Sequence, residues 1–347
     1  MKILIAGEKN YFNLEITLER ALQRAGCDVL LWGSRERKWY SGFQDWWTLH
    51  PLIRSVYNVM ASMEFYRTAI RYRPDILFIP KAENIHSHAA RRAMEKTGSR
   101  LVIWYPDNPF KADMTSMNVL RNLKRCEIFY IWGKFLVEPL KAAGCPNVQY
   151  LPFAFDPKMH SSDAPLTDED RKRFSADITF VGTWDKEREK DLEPLAEFDL
   201  AIWGPGWTRN LHSKSPLRPR IRGEGLYNEE QARAYRCSRL VFNHLRLQNG
   251  SAHNMRTMEI CGVGGGVQVV RRTPEQAQEL FRENEHLLCF EGTDELRKTV
   301  TSALANSERC REMSSKAKKH VFEKHLMDFR VKQIIEDLRE KSTFISP

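Results

Sequence analysis

The sequence has 347 residues, of which 42% are hydrophobic and 29% charged. This composition excludes a disordered polar chain, and the length suits two domains of ordinary size. No apolar run approaches the roughly 18 residues that cross a bilayer, and the first residues, MKILIAGE, predict a strand rather than a signal peptide. We therefore expect a cytoplasmic protein that starts at Met1 and keeps its seven scattered cysteines reduced.

The positive charge is unevenly distributed along the chain. The formal net charge is +9; residues 1–155 hold 22 Lys and Arg against 14 Asp and Glu, whereas the remaining 192 residues hold 32 against 31. An excess of cations in the first half suits an anionic partner, such as a phosphorylated acceptor, lipid headgroups or nucleic acid. A basic surface without a specific partner is the alternative.

Short apolar runs alternate with amphipathic stretches in the first half, which predicts parallel strands joined by crossover helices. Six runs are typical of strands: KILIAG, CDVLLWG, PDILFIP, RLVIWYP, EIFYIWG and VQYLPFA. A helix over residues 13–25 is predicted between the first two runs, with Leu14, Leu18 and Leu22 on one face. Residues 35–73 predict a helical insert that is rich in aromatic and basic side chains.

A polar segment separates this series from a second one. Residues 156–176 contain two prolines and no sustained periodicity, which predicts a linker. Further strands are expected at DITFVG, DLAIWG, RIRG, RLVFNHL, GVQVV and HLLCF, with helices at about 188–197, 228–237, 254–262, 274–282 and 293–305.

The expected fold class is therefore α/β. Two doubly wound, Rossmann-like domains, residues 1–155 and 177–325, are expected to face each other across a cleft. The last segment, residues 326–347, predicts a helix with no strand after it, and we expect this helix to pack back on the first domain.

The strongest functional pattern is HNMRTMEICGVGGGVQVV, residues 253–270. A helix that begins near Asn254 offers free backbone amides and the positive end of its dipole, which bind anions. Arg256 in the first turn can bond a phosphate, and Glu259, one turn further on, suits ribose hydroxyls. We therefore predict an anion and ribose site at Asn254, Arg256 and Glu259. An ordinary helix with an exposed Arg–Glu pair and a glycine C-cap is the alternative.

Turns after neighbouring strands support the same site. Arg246 comes just after RLVFNHL, on the sheet edge where doubly wound folds bind ligands. The turns FVGTWDKER and IWGPGW also follow strands, and their glycines allow a ligand to approach the backbone closely. Trp184, Trp203 or Trp207 could stack on a base, although core packing is the commoner use of tryptophan.

These motifs together resemble those of the GT-B glycosyltransferases, and in particular the CgeB-like, spore-maturation-type family. The similarity covers about residues 177–331 and rests on FVG with a downstream Arg188, GPGW, FNHLR, RTMEICGVGGG and a terminal EKH with Arg330. In the first half it rests on WYPDNP, where Asn108 replaces the second aspartate of the family. The resemblance implies a nucleotide-diphosphate-sugar donor, a UDP-sugar first of all, on the second domain and an acceptor on the first.

The resemblance also implies roles for individual residues. Glu259 would bind the ribose, Arg256 and Arg246 the diphosphate, and the loop 222–225 the base. The residues assigned to the donor are Gly182, Arg188, Arg222, Gly225, Arg246, Asn254, Arg256, Thr257 and Glu259. Many retaining GT-B enzymes carry a second glutamate eight positions before the ribose-binding one, and Ser251 occupies that position here, so the stereochemistry stays open.

Direct inversion would require a base that takes the acceptor proton. Four candidates follow strands of the first domain: Glu8, Glu83, His86 and Asp107. Asp107 is preferred because two flanking prolines brace its turn, although turn and capping roles are common for such residues. Arginines and helix dipoles would stabilise the leaving diphosphate, and no D-x-D turn follows a suitable strand. We therefore expect a metal-independent enzyme without a cofactor.

The insert at 35–73 bears nine aromatic and seven basic residues against three acidic ones. It could meet sugars, or the headgroups and phosphate of a lipid-linked acceptor at the inner membrane face, or it could pack on the sheet as a helical hairpin. Three functions follow: a glycosyltransferase with a glycan, lipid-linked, protein or small-molecule acceptor; a nucleic-acid-modifying glycosyltransferase that uses the basic first domain; and a catalytically silent nucleotide-sugar-binding protein. A GT-B epimerase is a lesser alternative.

Overall fold

Two parallel six-stranded sheets, each surrounded by helices, build the protein. The computed structural model describes residues 1–7, 14–33, 51–81, 85–160 and 163–343. The chain divides into two compact units, Met1–Pro152 with Met327–Pro347, and Phe153–Leu326. The predicted α/β class with two doubly wound parallel sheets is confirmed.

The first unit contains a sheet in the order β2-β1-β3-β4-β5-β6, and all its neighbouring strands are parallel. Its strands are β1 Lys2–Gly7, β2 Asp28–Gly33, β3 Ile76–Phe78, β4 Arg100–Tyr105, β5 Ile128–Ile131 and β6 Val148–Tyr150. The central strands are apolar along their whole length because helices cover both of their faces. The order reverses between β1 and β3, so the loops after these strands flank a topological switch point.

The helices of the first unit include one from the far end of the chain. The described helices are Leu14–Arg24, Pro51–Tyr72, Ser87–Thr97, Met117–Leu123, Val137–Ala142 and Met327–Thr343. The last of them packs beside the first, where both oxygens of the Asp328 carboxylate accept hydrogen bonds of 2.8 Å from Arg24. The predicted return of the final helix to the first unit is confirmed.

The second unit contains a sheet in the order β12-β11-β10-β7-β8-β9, again with parallel neighbours. Its strands are β7 Ala176–Val181, β8 Leu200–Trp203, β9 Ile221–Gly223, β10 Ser238–Asn243, β11 Val267–Arg271 and β12 Leu288–Phe290. The order reverses between β7 and β10. A ligand is therefore expected at the carboxyl ends of these two strands.

The helices of the second unit include the predicted series together with four that were not predicted from the sequence: Pro157–His160, Asp168–Phe174, Trp207–Asn210 and Ser307–Lys324. In chain order, the described helices of this unit are Pro157–His160, Asp168–Phe174, Lys186–Leu192, Trp207–Asn210, Asn228–Cys237, Met255–Val263, Thr293–Ala305 and Ser307–Lys324. The helix predicted at 188–197 ends at Leu192 and continues as a 3₁₀ turn, Glu193–Leu195, in which Pro194 has no amide hydrogen to extend the helix. The segment predicted as a helix at 274–282 is a π-helix, Glu275–Leu280.

Aromatic rings fill the core beneath the switch point of the second sheet. Phe180, Phe242 and Phe290 come from three strands, and the centroid of the Phe242 ring is 6.2 Å from that of Phe180 and 5.8 Å from that of Phe290. Trp207 packs edge-on against Phe180. All four rings are buried, and each contributes about 1.5–3 kcal/mol by leaving water. This packing fixes the strand ends on which the loops of the site begin.

The segment 156–176, expected to be a linker, contains two short helices of the second unit. Helix Asp168–Phe174 begins with a capping box, in which Thr167 Oγ1 accepts the Asp170 amide at 3.1 Å and Asp170 Oδ2 accepts the Thr167 amide at 2.9 Å. Arg233 donates to the other Asp170 oxygen at 3.2 Å. A capping box and a few buried side chains, Met159, His160 and Phe174, therefore order a segment whose composition resembles that of a loop.

Two further expectations concern the whole chain. Within the described ranges, no helix is both long enough and apolar enough to cross a membrane. The seven cysteines all lie within the described residues, none of them forms a disulfide, and five are buried.

Candidate functional site

Two arginines at the switch point of the second sheet share the Asp185 carboxylate, and the charge of a third acts on Arg188. We call the three the arginine cluster: Arg188, Arg246 and Arg256. Arg188 lies in the first turn of helix Lys186–Leu192, after β7, and Arg246 follows β10. Asp185 lies between these two, with its Oδ2 3.2 Å from Arg188 Nε and 3.5 Å from Arg246 Nε. A single carboxylate thus faces two guanidinium groups.

Burial and nearby positive charges lower the pKa of Arg188. Burial lowers the pKa of its guanidinium, and the charges of Arg246 and Arg256 lower it further, so that the pKa falls to about 10 although Asp185 opposes the change. A bound phosphate would relieve this repulsion and accept charge-assisted hydrogen bonds. The arginine cluster is therefore suited to a polyanion.

Arg256 and Glu259 form an ion pair on helix Met255–Val263. Arg256 Nη1 lies 2.5 Å from Glu259 Oε2, and Gln231 Nε2 donates to the same oxygen at 3.0 Å. Burial raises the pKa of the Glu259 carboxyl, but the charges of Arg256 and His160 and the two hydrogen bonds outweigh it, so this pKa lies below its ordinary value. Burial lowers the pKa of the Arg256 guanidinium, whereas Glu259 and a neighbouring tyrosine raise it above its ordinary value.

Buried amide side chains fix this helix to β10. Asn243, the last residue of β10, donates from Nδ2 to Asn254 Oδ1 at 3.0 Å and to Thr257 Oγ1 at 3.1 Å. Asn254 Oδ1 also accepts the Thr257 amide at 3.0 Å and so caps the helix. The side chains of Asn254 and Thr257, which were predicted to bind the donor, are thus engaged in holding the helix N-terminus beside the arginine cluster.

Two glycines let the turns after β7 and β8 touch. The Gly182 amide donates to the Trp203 carbonyl at 2.8 Å, and the Gly182 carbonyl accepts from Trp207 Nε1 at 2.8 Å. A Cβ atom on Gly204 would lie 1.9 Å from the Gly182 oxygen. The next carbonyl, that of Thr183, accepts from Arg188 Nη1 at 2.6 Å. The turn that contains Gly182 therefore also orients Arg188.

The loop predicted to hold the base lines a pocket of about 530 Å³. The residues around the pocket are Lys172, Arg173, Trp203, Arg222, Gly223, Glu224 and Gly225. The Arg222 guanidinium donates to the Ser175 carbonyl and to Asp199 Oδ1, both at 2.8 Å. Ser175 and Asp199 immediately precede β7 and β8, so this guanidinium points toward the amino ends of the strands, and the structure does not bring it to the arginine cluster.

The preferred base of the first unit, Asp107, lies in an ion pair. Its Oδ2 is 2.8 Å from Lys81 Nζ, and its side chain is 18% exposed. Asn108, where the CgeB-like pattern has aspartate, closes the turn with its Oδ1, which accepts the Phe110 amide at 3.0 Å. Asp107 is thus held after β4 with its carboxylate oriented by a lysine.

Of the other three candidate bases, the structure describes only His86. His86 precedes helix Ser87–Thr97 and makes no capping hydrogen bond with its side chain; its Nε2 is buried and has no hydrogen-bond partner among the described residues. Glu8 and Glu83 lie outside the described residues. Where the structure describes the chain, no three His, Cys, Asp or Glu side chains converge to hold a metal ion.

Three residues beside the predicted ones were missed: Asp185, Gln231 and His160. Asp185 had a usable signal, because an aspartate directly before KER suits a helix N-cap. Gln231 and His160 had none, since they meet Glu259 only where their helices pack against helix Met255–Val263. Ser251, which takes the place of a family glutamate, lies exposed in the loop before this helix.

The lowered pKa of Glu259 predicts a pH-dependent stability. The ionised carboxylate stabilises the fold above its ordinary pKa, and this contribution disappears as the pH falls through the lowered pKa. We expect the difference in unfolding free energy between the wild type and Glu259→Gln to be largest near pH 7 and to shrink below about pH 4.3. Urea denaturation from pH 7 to pH 3 measures it, with the exposed Glu312→Gln as control. A difference that stays constant over this range would contradict the prediction.

Known proteins resemble the chain in sequence and in fold. Residues 187–336 match a family model described as glycosyl transferase-like, whereas no curated protein matches the sequence. The structure of HepE from Anabaena, in complex with UDP and glucose, superimposes with a TM-score of 0.71 at 13% identity and covers 98% of this chain and 100% of its own. Sucrose-phosphate synthase from Thermosynechococcus elongatus gives 0.70 at 11% identity over 99% of both chains.

A third similar structure is an alpha-glucosyltransferase in complex with UDP-glucose and DNA containing an abasic site. Its TM-score is 0.64 at 12% identity, with 97% of this chain and 98% of its own covered. At such identities the structural matches show the shared GT-B fold, and the family match adds the class. The protein is a glycosyltransferase of the GT-B type.

Proposed function

We propose that the protein transfers a sugar from a nucleotide diphosphate, with a UDP-sugar as the first candidate, and that it is a CgeB-like glycosyltransferase. The observation that carries the proposal is the arginine cluster beside the buried Glu259 carboxylate, at the switch point where such sheets bind ligands. Three guanidinium groups face two carboxylates there, and a diphosphate supplies the missing negative charge. The pocket beside Gly223 and Gly225 would take the base.

The same groups would assist the departure of the diphosphate. Negative charge develops on the leaving phosphate as its bond to the sugar breaks, and cations already fixed around it stabilise that charge without reorganisation. Asp185 and the Thr183 carbonyl hold Arg188 in place, and the dipole of helix Met255–Val263 adds to the field. Because these groups supply the positive charge, we propose that transfer needs neither a metal ion nor another cofactor.

On the acceptor side we propose Asp107 as the base. Its ion pair with Lys81 orients the carboxylate, and an acceptor hydroxyl could give its proton to the oxygen that Lys81 does not hold. His86 and Glu8 remain the alternative bases.

We propose a cytoplasmic enzyme that can contact a membrane peripherally. Four apolar side chains on helix Pro51–Tyr72 are exposed and would suit contact with a membrane that holds a lipid-linked acceptor: Val56, Val59, Met60 and Met63.

A panel of nucleotides tests the donor. UDP is expected to raise the melting temperature, and 100 times its Kd would add about 2.7 kcal/mol of stability; GDP, ADP and TDP measure the specificity. Hydrolysis of the matching nucleotide sugar is expected to continue in excess EDTA. If none of the four nucleotides binds, the proposal is wrong, and if EDTA abolishes turnover, its metal-independent form is wrong.

A nucleic-acid acceptor is the second candidate, because residues 1–155 carry a net charge of +8. Binding of a DNA or RNA duplex that weakens steeply with salt would favour it. Nucleotide binding without turnover on any acceptor would instead favour a catalytically silent binding protein.

A further inference from the structure

The two oxygens of Glu259 have different surroundings. Oε2 accepts the hydrogen bonds from Arg256 and Gln231, whereas Oε1 accepts none from the described residues. His160 faces Oε1, with its Nε2 4.0 Å away. This distance exceeds that of a hydrogen bond by about 1 Å. A carboxylate oxygen and an imidazole nitrogen thus face each other without direct contact.

The position of the His160 ring is well determined by its neighbours. The ring stacks on Phe155, with centroids 5.3 Å apart and an angle of 21° between the planes. Its Nδ1 faces the Asp156 carbonyl at 3.5 Å, which favours a hydrogen on Nδ1 and directs Nε2 toward Glu259. The side chain is only 5% exposed, so the ring cannot rotate freely to close the gap.

We propose that His160 is a donor-binding residue, and that its Nε2 and Glu259 Oε1 together hold one ribose hydroxyl of the donor. An oxygen atom can lie about 2.8 Å from both atoms at once, to the side of the line that joins them. A hydroxyl both donates and accepts, so it can donate its one hydrogen to the carboxylate while it accepts a hydrogen bond from a protonated Nε2. The proposal rests on the proposed function, because it requires a nucleotide in this site.

The consequence is discrimination between ribose and deoxyribose. Removal of the shared hydroxyl would leave a buried carboxylate and a buried imidazole without their partner, which costs more than the loss of one exposed hydrogen bond. A nucleotide that lacks this hydroxyl is therefore expected to bind at least about tenfold more weakly than its parent.

Calorimetric titration with UDP, 2′-deoxy-UDP and 3′-deoxy-UDP tests the proposal. His160→Phe keeps the ring on Phe155 but removes both nitrogens, and His160→Gln keeps a polar group. His212→Gln, at an exposed histidine of the same unit, is the matched control. We expect the wild type and the control to bind one deoxy analogue about tenfold more weakly than UDP. We expect His160→Phe to bind UDP about tenfold more weakly than the wild type does, and to prefer UDP over that analogue only about twofold.

The outcomes separate the two proposals. An equal preference for UDP over the analogue in the wild type and in His160→Phe would overturn the role of His160, as would a wild type that does not discriminate at all. If His160→Phe fails to fold, the same comparison with His160→Gln decides. If the folded wild type binds no nucleoside diphosphate, including GDP, ADP and TDP, the proposed function itself is wrong.

Discussion

Replacement of Arg256 by glutamine is expected to lower kcat/KM for the nucleotide-sugar donor about 100-fold. Arg256 would donate charge-assisted hydrogen bonds to the diphosphate, and the loss of such bonds costs about 1.5–3 kcal/mol. It also neutralises Glu259, whose bare carboxylate would repel the incoming diphosphate. Both effects act on the donor in the same direction, and 2.7 kcal/mol corresponds to about 100-fold.

Steady-state kinetics of three variants measure this effect. Arg256→Lys keeps the charge but not the planar fork and is expected to lie between the wild type and Arg256→Gln. Arg297→Gln removes an exposed ion pair with Glu197 and is expected to leave the kinetics unchanged. If Arg256→Gln keeps its fold, as circular dichroism would show, and turns over as fast as the wild type, the arginine cluster is not the diphosphate site.

Gly204→Ala is expected to destabilise the second unit by about 3 kcal/mol or more and to abolish donor binding. The added Cβ would stand 1.9 Å from the Gly182 carbonyl oxygen. The backbone fixes the position of the Cβ, and the oxygen is itself a backbone atom, so no flexible side chain can move aside. The two turns must separate, which also breaks the bond from Trp207 Nε1 and displaces the Thr183 carbonyl that orients Arg188. We therefore expect Gly204→Ala to lose stability and donor binding together.

The melting temperature and UDP binding of Gly204→Ala measure both parts of this expectation. At 2–4 °C for each kcal/mol in a domain of this size, a drop of about 10 °C is expected. Gly292→Ala is the matched control, because its Cβ would meet nothing within 4 Å, and it is expected to cost about 1 kcal/mol at most at its helix cap. A Gly204→Ala protein as stable as the control would show that the two turns do not depend on each other.

The sequence predicts most of the fold because both sheets are parallel and buried. Their strands are short continuous apolar runs, such as RLVIWY at β4, and these stand out between polar crossover helices. The sequence does not predict the order of segment 156–176, since only a capping box and a few scattered buried side chains, such as Met159 and Phe174, order it. Helices and strands are recognised in a sequence by the periodicity of their apolar residues, and this segment has almost no such periodicity.

The sequence predicts the site residues that directly follow neighbouring strands. It does not predict those that other contacts bring to the site or draw away from it. Arg188 and Arg246 are distant in sequence but follow β7 and β10, which are neighbours in the sheet, so topology brings them together. Arg222 was assigned with them, yet the Asp199 carboxylate draws its guanidinium toward the other edge. His160 reaches Glu259 only through the packing of two helices, and no spacing in the sequence encodes that contact.

Because helix Met327–Thr343 belongs to the first unit, a single cut in the chain cannot separate the two units. Val331, Ile334 and Leu338 of this helix are buried in the first unit. A gene fragment that encodes residues 1–152 alone would leave the apolar surface beneath them bare, and such a fragment is expected to aggregate. The second unit, residues 153–326, is one continuous stretch and can be expressed directly. The first unit needs a fusion of residues 327–347 to the beginning of the chain, as in a circular permutant.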